Sequence, residues 1–559
     1  MPTDSIREQV RSAVTHAWRR AEAAGALPPP SEDTRPDVEI DRPAHPEHGD
    51  LATNLALKLA RPLRMPPPAI AAVLATELGR EPVTGAPPLI AGVEVAGPGF
   101  LNLRLADVAV ERVVQRILAE PSSWGREAPT ADARRVNVEF VSANPTGPLT
   151  VGNARGAFAG DLLSRILEAA GQRVTREYYF NDSGSQVFNL GASVLAVRDG
   201  RPVPEDGYHG DYVADLTAAL PAGLAAEDAT DEERSWAVGR WAADRVRAGI
   251  EASLAALGVP FDVWTTEGSL LDGGWVPRAI EQLRAGGHLY EQDGATWFRS
   301  TAFGDDKDRV VIRSNGQLTY FAFDIGYVVE KFSRGFDHLI YVWGADHHGT
   351  VARVRNAAGA MGFDREAVEM ILTGWVRFVR DGVEMSMSKR AGTFVSLDEL
   401  LTEVGVDAAR WFFASRGSNV DIDFDIELAK KQSNENPVYY VQYAHARIAS
   451  IVRKAASAGL GPAATVDGLL TSAPEARLAR ALIRFPDVVA DAAAAKEVHG
   501  VTTFATELAT EFHAFYRDAR VVDPRAPERS AGRLALVRAT QITLADALGL
   551  LGISAPESM

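Results

Sequence analysis

The stretch from Val136 to Phe180 limits the fold more than any other part of the chain. Val136, Val138, Phe140 and Ser142 alternate with Asn137, Glu139 and Val141, the period-two pattern of a strand rich in β-branched and aromatic residues. Asn144-Pro145-Thr146-Gly147-Pro148 breaks it. Pro145 has no N–H for a ladder and steers Asn144 away from helical backbone. Phe158, Leu162, Leu163, Ile166 and Leu167 then recur at helical spacing, and Gly171 is placed to end that helix. Residues 173–180 read as the next strand. A strand–helix–strand unit of this length builds a parallel sheet. Its turn aims the free N–H groups of a helix start at the carboxyl end of a strand, where open α/β sheets bind anions.

At 559 residues the chain exceeds one core, and about three domains are expected. Residues 1–115 read as an α+β unit, with helices over 6–24, 50–63 and 68–78, strand-like pieces near Val93 and Phe100, and a helix over 106–118. Residues 116–425 hold the main sheet, with an insertion at about 200–310, sheet-like order returning at 308–313, and a second strand-to-loop element over 337–343. From 426 to 559, and from about Leu400 onward, the pattern is helical. No apolar run is long enough to cross a membrane. The start, MPTDSIREQV, lacks the apolar stretch of a secretory signal, so the cytoplasm is expected. The absence of cysteine excludes disulfides, thiolate zinc sites and cysteine nucleophiles. A net charge of −16 argues against a surface coated for nonspecific nucleic-acid binding. The charge is uneven: from Lys430 on, 15 Lys and Arg stand against 13 Asp and Glu, so a polyanion is better received there than elsewhere.

Several constellations suggest chemistry. Gly152, Gly156 and Gly160 fall on one helical face, where each glycine costs about 1 kcal/mol. Close packing on the sheet or close approach of a phosphate would each explain them. Thr150 and Asn153 add hydrogen-bonding groups there. Lys389, within Ser386-Met387-Ser388-Lys389-Arg390, suits a phosphate clamp or an exposed basic turn. Tyr320, Asp324 and Tyr327 share a helical face: an acid between aromatics suits a planar cation, or a surface helix. The pairs His45/His48 and His347/His348 have no further ligands by spacing, and a metal site is disfavoured. Tyr439, Tyr443 and Arg447 form another stripe, suited to stacking on unpaired bases or to helix packing.

Taken in order, NPTGPLTVGN, TYFAFDIGY, VWGADHHG, SMSKRAGTFVSLDEL and SNENPVYYVQYAHARI resemble the arginyl-tRNA synthetases, a class I synthetase family. HGDLATNLALKLA, GPGFLNL and the final LLGISAPESM resemble that family's ends, so the likeness spans nearly the whole chain. It implies a Rossmann-like doubly wound parallel-sheet catalytic domain between an α+β N-terminal domain, which meets the tRNA elbow, and an all-α C-terminal anticodon-binding domain. It implies ATP-dependent attachment of L-arginine to its cognate tRNA through arginyl adenylate, with tRNA needed for the first step. ATP would act with Mg2+, no structural metal is implied, and a monomer is the family expectation.

Residue by residue, Thr150-Val151-Gly152-Asn153 stands where the family has His-Ile-Gly-His, with both histidines replaced. Ser386 to Arg390 stand at the Lys-Met-Ser-Lys-Ser loop, keeping its second lysine as Lys389. The likeness assigns Pro145, Gly147, Thr150, Gly152, Asn153, Gly344, Met387, Ser388 and Lys389 to ATP, with Lys389, Thr150 and Asn153 as the catalytic set. It assigns Glu139, Asn144, Tyr320, Asp324 and His348 to arginine, and Tyr439, Tyr443, Arg447 and Met559 to tRNA. A guanidinium is planar, permanently charged and suited to carboxylates in fork geometry, so such a pocket rejects lysine without editing. Two rivals remain at this point: a noncatalytic RNA-binding paralogue, prompted by the missing histidines, and a class I enzyme for another substrate.

Overall fold

The computed structural model describes residues 5–31, 35–80, 87–224, 228–385 and 396–559. Met387, Ser388 and Lys389 lie outside them. The main sheet is formed by β1 (Arg135–Phe140), β2 (Arg173–Phe180), β3 (Val263–Thr266), β4 (His338–Gly344) and β5 (Val368–Thr373). All pairs are parallel, in the order β5-β4-β1-β2-β3. The chain steps outward from β1 to β3, then returns to lay β4 against the other side of β1. That reversal opens a crevice at the carboxyl ends of β1 and β4.

β1 is buried on both faces. Val136, Val138 and Phe140 are fully buried on the side of helix α1 (Val151–Ala169), which closes down because Gly160 has no side chain. A Cβ there would lie 2.1–2.5 Å from carbons of Phe140. The opposite face carries Asn137 and Glu139 and meets helix α2 (Tyr320–Ser333). As expected, Gly171 follows α1 with left-handed backbone, φ 80°.

Four expectations change. The stretch 200–310 is not wholly inserted, because Val263–Thr266 is the edge strand of the main sheet. The helices Ser185–Arg198, Asp211–Ala218 and Asp231–Ala256 form the crossover that reaches it. Residues 309–312 join a separate antiparallel sheet with 289–292 and 295–298. The 50–63 pattern splits into a strand, Leu51–Thr53, and a helix, Leu55–Leu63; pairing of Leu51 with Leu103 and of Thr53 with Leu101 overrides the local helical pattern. Downstream of Leu400 the chain is helical except for Ile422–Asp425, which pairs with Val376–Arg380.

The terminal units are tied to the core. Helix Asp107–Ala119 crosses the boundary expected at 115. Its Asp107 pairs with Arg480 (2.8 Å), and its Glu111 accepts from Gly468 N (3.1 Å). In the C-terminal unit, α3 (Pro437–Ser457) and α4 (Pro527–Leu550) pack together. The final residues fold back along α3: Gln442 donates to Ser554 O (3.0 Å) and His445 Nδ1 donates to Pro556 O (2.8 Å). Among the described residues, no helix is long and apolar enough to cross a membrane.

Arg410 fastens three of these parts. It is 1% exposed and donates to Asp161 of α1 (2.7 Å), to Leu257 O (2.8 Å) and Gly258 O (2.8 Å) after the crossover helices, and to Leu551 O (3.3 Å) at the end of α4. Replacing it strands these buried acceptors. Asp161 keeps Arg165 at 2.8 Å, so Arg410→Met is expected to cost about 3 kcal/mol, the lower end for a broken buried pair, read from urea unfolding. A change under about 0.5 kcal/mol would show that Arg410 fastens nothing.

Candidate active site

A cleft of about 1330 Å³ opens at the carboxyl ends of β1, β2, β4 and β5, where the strand order predicts it. The chain enters it through a strained corner. Val141 and Ser142, directly after β1, have φ of 66° and 41°, a region that costs a β-branched residue such as valine about 1–3 kcal/mol. The corner is held by a relay: Tyr179 N–H donates to Ser142 Oγ (3.1 Å), and Ser142 Oγ donates to Glu139 (3.2 Å). Tyr178 Oη, donating to Ala143 O (3.0 Å), pins the next residue.

One half of the cleft is the N-terminus of α1. Of the three aligned glycines, Gly160 is a packing residue, whereas Gly152 and Gly156 line the cleft and have room beside them. The Thr150 N–H and hydroxyl both donate to Asn153 Oδ1 (3.0 and 3.1 Å). Threonine therefore spends its proton on Asn153 and is a poorer phosphate donor than its residue type suggests. The asparagine Oδ1 is occupied, which leaves its NH2 to donate to a ligand. The helix N-terminus adds partial positive charge. Asn144, Gly147 and Gly344 also line this cleft; Pro145 is buried behind the turn. The segments flanking residues 386–395 are anchored beside it: Met385 N donates to Phe378 O (2.8 Å), and Ser396 pairs with Thr150 as a β-bridge.

The other half is acidic. Asp324, Glu139 and Glu267 line it with Tyr179 and Tyr320. Two of the three acids are already engaged. Glu139 contacts Lys331 Nζ (2.7 Å), and Glu267 accepts from Ser183 Oγ (2.6 Å) and Tyr179 Oη (3.1 Å). Asp324 has no hydrogen bond or close ion pair among the described residues. Burial pushes its carboxyl up to about 7; the nearby Arg353 pulls it back, while Glu139 and Glu267 push it further. Burial also raises Glu139, against the pull of Lys331. Tyr320 sits at the rim, 59% exposed, with its ring free to cover a planar ligand. Beneath the floor, Glu177 collects Arg334 (2.7 Å), Tyr327 Oη (2.6 Å) and Asn137 Nδ2 (2.5 Å). Burial raises the Glu177 carboxyl, but Lys331 and Arg334 outweigh it and hold it below its ordinary range.

The cleft thus gathers Glu139, Asn144, Tyr320 and Asp324, as expected, but not His348. The chain passes through a tight turn over Ala345–His347, which leaves His348 exposed off the cleft wall and puts His347 on it. Sequence reasoning missed Tyr179, Glu267, Arg353 and the segment Glu205 to Tyr212, which lines the rim and donates through Tyr212 Oη to Thr146 O (2.8 Å). These come from separate elements with no shared spacing. Lys331 was findable, since 320, 324, 327 and 331 continue one helical stripe.

Far from the cleft, Tyr439, Tyr443 and Arg447 do form one half-buried stripe on α3. The two rings stack at 6.3 Å, and Arg447 lies over Tyr443 at 4.7 Å and Tyr516 at 5.3 Å. Met559 is exposed at the end of the tail that runs along the same helix. Among the described residues, no cluster of three or more metal-ligating side chains occurs.

The raised Asp324 carries a stability cost. Its folded value lies above its unfolded one, so the folded protein binds the extra proton, and stability falls as pH rises between about 4 and 7. Asp324→Asn is expected to raise stability by about 1–2 kcal/mol at pH 8, with the gain shrinking towards pH 4. Equal stabilities at pH 8 would contradict a carboxyl raised by burial.

Comparison with known proteins agrees with this geometry. The model of the arginyl tRNA synthetase N terminal domain matches residues 4–105. That of the tRNA synthetases class I (R) catalytic domain matches 113–202 and 243–433, and that of the DALR anticodon binding domain matches 441–559. An arginine–tRNA ligase of Geobacillus thermodenitrificans is 45% identical over 563 residues, covering 99% of both chains. One of Geobacter sp. is 44% identical over 563 residues, covering 99% of this chain and 100% of its own. The solved Thermus thermophilus arginyl-tRNA synthetase superposes with a TM-score of 0.76 at 26% identity, covering 99% of this chain and 100% of that one. A putative arginyl-tRNA synthetase of Campylobacter jejuni superposes at 0.74 with 32% identity, covering 81% of this chain and all of its own. Three models in register along nearly the full length, over a doubly wound sheet with an acidic cleft at its switch point, mark the chain as a member of the arginyl-tRNA synthetase family of class I.

Proposed function

We propose that this chain attaches L-arginine to its cognate tRNA in two steps within the one cleft. The arginine carboxylate attacks the α-phosphate of ATP, bound with Mg2+, and pyrophosphate leaves. A hydroxyl of the terminal tRNA adenosine then attacks the adenylate carbonyl, and AMP leaves. The observation that carries this reading is Asp324, a carboxyl in the acidic half of the cleft with no hydrogen bond or close ion pair among the described residues. Such a group is stabilised by a cation that arrives with the substrate, and a guanidinium can pair with it while lying under Tyr320. Glu139 and Asn144 complete the pocket, with His347 toward the amino-acid end.

The glycine-lined half takes ATP. Phosphates approach the α1 terminus past Gly152, with Asn153 Nδ2 as donor and Thr150 as the group that orients it. Gly147, packed against Tyr212, and Gly344 line the same half. Lys389, on the segment whose flanks are held at Phe378 and Thr150, offsets the charge that develops on the leaving pyrophosphate. Residues 1–115 and 426–559 serve the tRNA, at its elbow and anticodon region, with Tyr439, Tyr443, Arg447 and Met559 on the second surface. The helix Asp107–Ala119 joins the first unit to the catalytic part, 116–425. The protein works as a cytoplasmic monomer.

Arginine-dependent ATP–pyrophosphate exchange, with and without tRNA, tests the reading. Exchange that requires arginine is expected; its absence in both conditions would favour a noncatalytic RNA-binding protein. Asp324→Asn is expected to raise the arginine KM about 100-fold, the equivalent of roughly 2.7 kcal/mol, and an unchanged KM would remove Asp324 from the pocket. Lys389→Ala is expected to slow exchange about 100- to 1000-fold with folding intact, whereas a wild-type rate would show that the lysine is no phosphate clamp.

A further inference from the structure

Lys331 is 0% exposed, directly behind a pocket built for a cation. A buried ammonium is expensive unless it is paired, and one so close to a cation pocket would also compete with the substrate if it could swing into it. The structure prevents that. The Nζ lies 4.1 Å from the centre of the Tyr327 ring and 4.0 Å from that of Tyr341, between two aromatic faces. Among the described residues, its one carboxylate within bonding reach is Glu139 Oε2, at 2.7 Å. The other oxygen, Oε1, accepts from Ser142 Oγ (3.2 Å) at the strained corner, and Glu139 lines the cleft.

The spacing adds a second observation. Tyr320, Asp324, Tyr327 and Lys331 occupy one stripe of α2. The rim aromatic, the unpartnered acid, the floor and the buried cation therefore move as one rigid body. By gripping Glu139, Lys331 fixes that stripe against β1, and hence Asp324 against Glu139.

We propose that Lys331 is a positioning residue of the arginine pocket, which holds Glu139 by Oε2 with Oε1 turned to the cleft and in register with Asp324. This rests on the arginine-activating reading above. Lys331 touches no substrate; it acts through Glu139. The competing view is that the pair is only a packing link between α2 and β1.

A double-mutant cycle on exchange kinetics separates the two. The wild-type protein must first show arginine-dependent exchange with tRNA; failure there defeats the functional reading rather than this inference. Lys331→Met and Glu139→Gln are each expected to raise the arginine KM about tenfold or more, with the ATP KM within about twofold of wild type. The double variant, a neutral pair of similar shape, is expected to be no worse than the worse single. Multiplying effects in the double, or arginine and ATP KM values rising together, would overturn the proposal. If either single variant fails to fold, the double decides alone: an arginine KM raised about tenfold with ATP unaffected supports the proposal, and a wild-type arginine KM overturns it.

Discussion

β1 is buried on both faces, yet one of those faces carries Asn137 and Glu139. A central strand of a parallel sheet is ordinarily apolar on both sides, because uncompensated polar groups there cost several kcal/mol. Everything under the cleft answers that constraint. Asn137 bonds Glu177, Glu177 gathers Arg334 and Tyr327, and Lys331 meets Glu139. The apolar face of the same strand lets α1 close through Gly160, and this sets the glycine-lined helix terminus beside the acidic pocket. On the proposed reading one strand places both reactants, and its polar face, costly to bury, is retained because it forms the arginine pocket.

The replaced signature histidines fit this arrangement. Imidazolium would bring its own positive charge to the triphosphate. Thr150 and Asn153 are neutral, and their mutual hydrogen bonds turn the asparagine amide outward. On the proposed reading, positive charge comes from the helix terminus, from the Mg2+ that accompanies ATP and from Lys389, so the loop lysine carries more of the load than in a site that keeps its histidines. The reaction class is unchanged, since the α1 terminus, Gly152 and the crevice at the switch point remain.

Legibility in the sequence followed locality. The β1–α1–β2 unit was readable because its periodicities and its Asn-Pro-Thr-Gly break are local. The edge strand Val263–Thr266 was not, because a four-residue strand far from its partner gives no period of its own. The stretch 50–63 was misread as one helix because Leu51 and Thr53 owe their strand to distant pairing with Leu103 and Leu101. Glu139, Asn144, Tyr320 and Asp324, singled out by motif, all line the cleft. The turn over Ala345–His347 puts His347 and not His348 on the cleft wall, a geometric detail that spacing does not encode. Glu267, directly after the edge strand, and the Tyr208–Tyr212 rim, within the crossover, were invisible until the sheet brought them to the cleft.

The central claim is that Asp324, only partly offset by Arg353, waits for the substrate's guanidinium. Proton linkage measures this directly. With a carboxyl at about 7, Asp324 is about half protonated at pH 7, and pairing with a guanidinium drives that proton off. Arginine binding, followed by calorimetry in buffers of different ionisation enthalpy, is predicted to release about half a proton per site at pH 7, to fall to near zero by pH 8.5, and to lose this release in Asp324→Asn. Binding with no proton release at pH 7, or with the same release in Asp324→Asn, would contradict the account.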